Sequence, residues 1–270
     1  MFAKAWQFVR RLFNSGVQDE RPLAPSRRRI ELSVDPPCVY AIGDIHGCIE
    51  ALRRLETKIF EDAQPTIGTK LLVYIGDFID RGPDSAAVID HLLSEPPAGF
   101  RRLCLAGNHE AMLFDLLEGR IGIGDWLQFG GDNTLFSYGF DFNYLTHEMR
   151  LGHEAVLEEF VTAFPPAHRQ FLSALPVAFS TPRFLFTHAG VRPGTPLADQ
   201  TDHDLMWVRD RFLNAGDHGL GKIVVHGHTP ASQPVQTPFR IGIDTGAYMG
   251  GPLTAVRLLG EDVRFISVQS

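Results

Sequence analysis

Five polar clusters follow one another along the chain: Gly43-Asp44-Ile45-His46-Gly47, Gly76-Asp77-Phe78-Ile79-Asp80-Arg81-Gly82, Gly107-Asn108-His109-Glu110, Thr187-His188-Ala189-Gly190 and His226-Gly227-His228-Thr229. Their carboxylate, imidazole and amide side chains, with no cysteine among them, suit divalent ions such as manganese, iron or zinc rather than a thiolate-bound structural zinc. Two such ions about 3.5 to 4 Å apart lower the pKa of a shared water enough to give a hydroxide at neutral pH, and they clamp the oxygens of an in-line displacement at phosphorus. Glycines flank the clusters because the backbone must turn sharply and approach an ion without a Cβ in the way.

The first four clusters each follow an apolar, β-branched run: Val39 to Ile42, Leu71 to Ile75, Leu103 to Ala106 and Phe184 to Phe186. Each therefore sits where a buried strand ends, which is where α/β folds place ligands. Helical spacing predicts helices from Cys48 to Ala63, Asp84 to Leu93, His109 to Glu118, Glu154 to Phe164 and Ala167 to Leu175. Runs at 176–179, 184–186, 223–226, 239–243, 253–258 and 263–268 read as strands of a second sheet. The long stretch between the third and fourth clusters exceeds what a connection needs, and it is read as an inserted helical and loop cap over about 112–175. Its run from Trp126 to Gly139 carries Trp126, Phe129, Phe136 and Tyr138, which form either a wall for the substrate or the core of the cap itself.

From Val39 to the C-terminus the chain resembles the calcineurin-like metallophosphoesterases, in particular the bacterial and phage form of the phosphoprotein phosphatase branch. The resemblance rests on GD-x-HG, GD-xx-DRG, GNHE, a His in an HAG setting and GHT. It implies an α/β fold: a sandwich of two mixed β-sheets flanked by helices, with the inserted cap. It also implies two divalent ions per chain, manganese first, with iron or zinc as alternatives.

Residue by residue, the resemblance makes Asp44 and His46 ligands of the first ion, Asp77 the carboxylate between both, and Asn108, His188 and His228 the remainder of the second site. His109 becomes the general acid, with Asp80 fixing its tautomer and raising its pKa. Arg81 grips the phosphate with a planar fork of donors. Arg209, in the Met206-Trp207-Val208-Arg209-Asp210 segment, is the second arginine; Arg211 is the alternative, and a solvated charge on a helix the plainer one. Other metallophosphoesterases use Gly-His-x-His, but here Pro230 stands two residues after His228, so His226 is read as a non-ligand. Asp244, in Asp244-Thr245-Gly246-Ala247, either supports the site or simply turns the chain.

The resulting expectation is a metal-dependent phosphomonoester hydrolase using a metal-bridging hydroxide. Its substrate class is a phosphoprotein or phosphopeptide, cleaved by a serine/threonine or dual-specificity protein phosphatase. A dinucleoside tetraphosphate hydrolase or small-molecule phosphatase is the rival on the same machinery, and a catalytically inactive interaction scaffold is the rival of another class. The scaffold is disfavoured because every expected position is filled.

At 270 residues and 44% hydrophobic, the chain can bury one substantial core. Three cysteines without Cys-x-x-Cys spacing suit reduced thiols in a cytoplasmic protein. Net charge is −7 overall, but residues 1–30 hold seven basic side chains against two acidic ones. That segment reads as a basic amphipathic N-terminal tail preceding a catalytic domain at 31–270. Phe2, Ala5, Trp6, Val9 and Phe13 share one helical face, which suits contact with an anionic membrane surface or a protein. Nucleic acid is disfavoured because the acidic body repels phosphates.

Overall fold

The computed structural model describes residues 26–270. The chain enters through β1 (Arg29–Glu31) and then alternates: β2 (Cys38–Ile42), α1 (Ile49–Ala63), β3 (Lys70–Tyr74), α2 (Ser85–Leu93), β4 (Phe100–Cys104) and α3 (Asn108–Leu117). A helical stretch follows, with α4 (Ile123–Leu127), α5 (Gly131–Ser137), a π-helical turn (Tyr144–Glu148), α6 (His153–Ala163) and α7 (Pro166–Ala174). The remainder is β5 (Ala178–Ser180), β6 (Phe184–Thr187), α8 (Asp202–Trp207), α9 (Asp210–Leu213), β7 (Ile223–His226), β8 (Val235–Gln236), β9 (Arg240–Gly242), β10 (Pro252–Leu259) and β11 (Asp262–Gln269).

Two mixed sheets result, ordered β11-β10-β2-β3-β4 and β1-β5-β6-β7-β9-β8. Side-chain alternation along the strands explains why they pack face to face. Val39 and Ala41 of β2, Val73 of β3, and Val256 and Leu258 of β10 share one core with Phe184 and Phe186 of β6, Val225 of β7 and Ile241 of β9. The alternate residues Cys38, Tyr40, Ile42, Leu72 and Tyr74 join a larger core that takes in the helices. In α1, the buried Leu52, Leu55, Ile59 and Ala63 recur at helical spacing. The insert shares this larger core through Trp126, Leu135, Phe160, Phe164 and Leu172. Strands β2, β3 and β4 run parallel, as do β6, β7 and β9. Every one of the five clusters thus leaves the C-terminal end of a parallel strand.

Two details depart from the sequence expectation. The runs at 253–258 and 263–268 are strands, but they extend the first sheet rather than the second: β10 lies antiparallel to β2, with Leu258 opposite Val39. Partner choice is a long-range matter, and periodicity within a strand does not carry it. Strand β4 also begins at Phe100, ahead of the expected run at Leu103. It is an edge strand, and an edge tolerates the charges of Arg101 and Arg102 that hide its pattern.

The amphipathic reading of Met1 to Phe13 lies outside the described residues. The last part of the supposed tail does not: Arg29 and Ile30 pair with Ala178 and Phe179 in β5. Arg27 donates from its guanidinium to the carbonyls of Leu172 (2.9 Å) and Leu175 (3.2 Å), and its N–H donates to Asp202 (2.6 Å). A boundary drawn at residue 30 therefore cuts through β1. Replacing Arg27 by Ala removes donors to carbonyls at the end of α7, and should lower stability by about 1 to 2 kcal/mol. The expected reading is a lower urea midpoint with an unchanged slope; a midpoint equal to that of the parent chain would contradict this anchoring.

Candidate active site

The loops after β2, β3, β6 and β7 and the start of α3 meet at one buried point. The N–H groups of Ile45 and His46 both donate to the Asp77 carbonyl, at 3.0 and 2.8 Å, and Gly227 N–H donates to the His188 carbonyl at 2.8 Å. Close packing sets what can stand there: a Cβ on Gly107 would lie 2.1 Å from Asp77 Oδ1, and one on Gly227 would lie 1.9 Å from Asp44 Oδ1. His46, Asp77, Asp80, Arg81 and His228 all have left-handed backbone, with φ of 45°, 52°, 67°, 69° and 65°. Only one other non-glycine among the described residues, Arg150, does so. Such conformations are unfavourable for a side chain that has a Cβ, and they persist where the surroundings over-determine them.

At the centre, Asp77 Oδ2 lies 3.4 Å from His46 Nε2, 3.3 Å from His188 Nε2 and 3.8 Å from His109 Nε2. His188 Nε2 is also 3.0 Å from Asn108 Oδ1 and 3.2 Å from His228 Nδ1. Outward hydrogen bonds set the tautomers: His46 Nδ1 faces the Ile79 carbonyl at 2.7 Å, and His188 Nδ1 faces the Ile75 carbonyl at 2.9 Å. Each ring thereby turns the lone pair of its Nε2 inward. Two groups with mutually close ligand atoms share Asp77, namely His46–Asp77–His109 and Asp77–His188–His228. A buried cluster made almost wholly of lone pairs is repulsive unless a cation lies among them, so the donor set fits divalent ions. Burial opposes charge on His188, yet Asp77 raises it to about 9: this spot favours positive charge. Burial pushes Asp44 well above the carboxylate range, with Asp244 adding to it.

Asp44 belongs to neither group of close ligand atoms. Its carboxylate accepts the His228 N–H at 3.0 Å, tying the β2 loop to the β7 loop. His226 is buried but turned away: its Nδ1 is 3.1 Å from the Gly227 carbonyl, its Nε2 faces Arg240, and its ring packs on Phe212. Asp244 accepts the Gly246 N–H at 3.0 Å, so it forms a turn and also stands beside Asp44 electrostatically. Arg209 is not inside a helix; it precedes α9, and its guanidinium donates to the His228 carbonyl (3.1 Å) and to Thr229 Oγ1 (3.3 Å). Arg211 is exposed. Arg81 extends over the Tyr248 ring, 4.6 Å from its centroid, and donates to His46 Nε2 at 3.1 Å.

His109 is fully buried, with Nδ1 2.7 Å from Asp80 Oδ2 and no hydrogen-bond partner on Nε2. Asp80 was expected to raise the pKa of His109. Burial instead lowers it to about 3 and pushes Asp80 up to about 8, because a charge on either side chain is poorly solvated. With Nδ1 engaged by Asp80, the unpartnered Nε2 is the ring atom left facing the site.

Three contributors escaped the sequence reading. Glu110 is fully buried and accepts the N–H groups of Asp77 (2.8 Å), Phe78 (2.7 Å) and Gly107 (2.8 Å), clasping two loops together. Its position three residues after Gly107, at the start of α3, was the available signal: a glutamate there can reach back to the N–H of the capping residue, as it does here. Tyr248 packs edge-on against His46 at 4.9 Å and had no motif to announce it. Trp126, left open between substrate wall and cap core, is core, stacked on Phe160 at 5.9 Å, and its Nε1–H also donates to Asp80 at 3.0 Å. Phe129, half-buried, faces His109 and Trp207, whereas Phe136 is exposed.

The chain is 28% identical over 251 residues to the asymmetrical bis(5'-nucleosyl)-tetraphosphatase PrpE of Halalkalibacterium halodurans, covering 85% of this chain and 92% of the relative. It is 32% identical over 225 residues to serine/threonine-protein phosphatase 1 of Salmonella typhimurium, covering 82% and 91%. A protein serine/threonine phosphatase from Saccharomyces cerevisiae shares the fold, with a TM-score of 0.56 at 17% identity over 91% of this chain and 84% of that one. The calcineurin-like phosphoesterase family model matches residues 39–262, a span holding every one of the five clusters, and the chain belongs to that family of metallophosphoesterases.

Proposed function

We propose that this protein hydrolyses phosphate monoesters on serine and threonine side chains of phosphoproteins. Asp44, His46, Asp77, Asn108, His188 and His228 would hold two divalent ions, and their mixed imidazole, carboxylate and amide set suits manganese, iron or zinc. When bound, such a pair supplies an activated water and Lewis-acid neutralisation of the phosphate. Arg81 and Arg209 orient the non-bridging phosphate oxygens. Arg81 is placed for this by Tyr248, whose ring supports the guanidinium plane.

The observation that carries the reading is the buried His109–Asp80 pair, with its free Nε2 directed toward Asp77. Serine and threonine alkoxides are poor leaving groups that must be protonated as the bond to phosphorus breaks. The Nε2 proton passes to the departing oxygen, leaving Nδ1–H bonded to the Asp80 carboxylate. The similarity to serine/threonine-protein phosphatase 1 supports this reading.

A second reading, dinucleoside tetraphosphate hydrolysis, is favoured by the half-buried rings of Phe129, Trp207 and Tyr248 close to the metal-ligand candidates, which suit a nucleobase. The similarity to PrpE points the same way. It depends less on a strong acid, because a phosphate leaving group is better than an alkoxide.

Asp77→Asn should abolish turnover and reduce metal content together, measured by elemental analysis of the purified protein beside an activity assay. Full turnover by that variant excludes the mechanism. His109→Asn should retain both ions, yet lower kcat by about 10² to 10⁴ on an alkyl phosphate and far less on an aryl phosphate whose leaving group needs no proton. Equal losses on the two would remove His109 from the acid role. With manganese supplied, kcat/KM should be higher for phosphoseryl or phosphothreonyl peptides than for dinucleoside tetraphosphates. A preference of about tenfold or more for the dinucleotide, roughly 1.4 kcal/mol of transition-state binding, would select the second reading.

A further inference from the structure

We propose that Trp126 and Thr134, from the helical insert, are positioning residues for the proton donor, acting on His109 through Asp80. Resting on the acid role given above to His109, the proposal adds to that role the parts of the fold that hold it in place.

Each oxygen of Asp80 has its own dedicated donor. Trp126 Nε1–H donates to Oδ2 at 3.0 Å, and Thr134 Oγ1–H donates to Oδ1 at 2.6 Å. All three side chains are fully buried, so no solvent competes for these bonds. An indole N–H has no acceptor capacity, so this bond keeps one polarity. Thr134 Oγ1 also accepts the Asp80 N–H at 2.9 Å, and its hydroxyl reaches the Asp80 carboxylate at 2.6 Å, closer than Ser85 Oγ at 3.0 Å.

The same short stretch holds the neighbouring residue. The Gly130 carbonyl accepts Arg81 N–H at 3.0 Å, and Asn133 Nδ2 donates to the Arg81 carbonyl at 2.6 Å. Asp80 and Arg81 are consecutive left-handed residues, a backbone shape that needs such external clamping. Gly131 packs directly against the indole, since a Cβ there would sit 2.4 Å from Trp126 Cδ2, and the backbone at this point backs the ring. Residues 126–134 thus fix the carboxylate on both oxygens and the backbone on both sides. With Asp80 immobile, the 2.7 Å contact to Nδ1 holds the imidazole plane and aims Nε2 at the departing oxygen.

The test uses the full-length manganese-loaded enzyme with Trp126→Phe, Thr134→Val, Thr134→Ser and His109→Asn, each assayed on one alkyl and one aryl phosphate, with Tm measured throughout. Trp126→Phe and Thr134→Val should lower kcat on the alkyl phosphate about 5- to 50-fold while changing aryl turnover by less than about twofold. Thr134→Ser, which keeps the hydroxyl, should restore most of the alkyl rate. In an Asp80→Asn background, Trp126→Phe should cause no further alkyl-specific loss, since the two act through one carboxylate. Equal losses on both substrates, or fully additive losses with Asp80→Asn, assign Trp126 and Thr134 to packing alone and overturn the proposal. If His109→Asn separates the two substrates and neither insert variant does, this inference fails while the acid role stands. If His109→Asn does not separate them, the acid role falls and takes this inference with it.

Discussion

The structure is organised around a repulsion. Asp77 Oδ2, the inward nitrogens of His46, His188 and His228, and the Asn108 oxygen converge at one buried point, a set of electron-rich atoms crowded together. Left to themselves, such groups turn apart or take up protons. What keeps them together is backbone: loops from both sheets interlock by main-chain hydrogen bonds, and the Glu110 carboxylate gathers three N–H groups from two of those loops. The cluster is therefore preorganised for cations by structure that never touches them, which is how a site avoids reorganising when charge arrives.

That arrangement concentrates strain where the chemistry is. Left-handed backbone at His46, Asp77, Asp80, Arg81 and His228 costs of order 1 to 3 kcal/mol each, and the sandwich core between the sheets offsets it. The glycines in contact with these residues act differently from flexible hinges. Gly107 and Gly227 are places where carboxylate oxygens of Asp77 and Asp44 occupy the volume a side chain would need.

The helical insert belongs to the catalytic body, because Trp126, Leu135 and Phe160 share the core that holds Ile42 and Leu52. Its contact with the site lies mainly at the acid and arginine side: Asp80, Arg81 and, through Phe129, His109. Metal-ligand candidates come from the strand ends, whereas the Asp80–His109 pair is held from the insert by Trp126 and Thr134.

The sequence by itself determined the ligand candidates, their place after β-strands and the α/β class. These follow from local signals: an apolar run, a glycine turn, then a side chain of the right chemistry. Most helix limits were legible too, within a residue or two of α1, α2, α6 and α7. Only the tertiary structure decided which sheet receives β10 and β11, since antiparallel pairing with β2 joins residues more than two hundred positions apart. It alone showed the Trp126–Asp80 bond, because an apolar pattern records that an indole is buried and says nothing of where its single N–H points. It also turned Arg209 out of a helix, and reversed the expected direction for His109, where burial outweighs the neighbouring carboxylate. Chemistry carried by one residue and its neighbours could be read along the chain; chemistry set by what lies across the fold, or by how much water reaches it, could not.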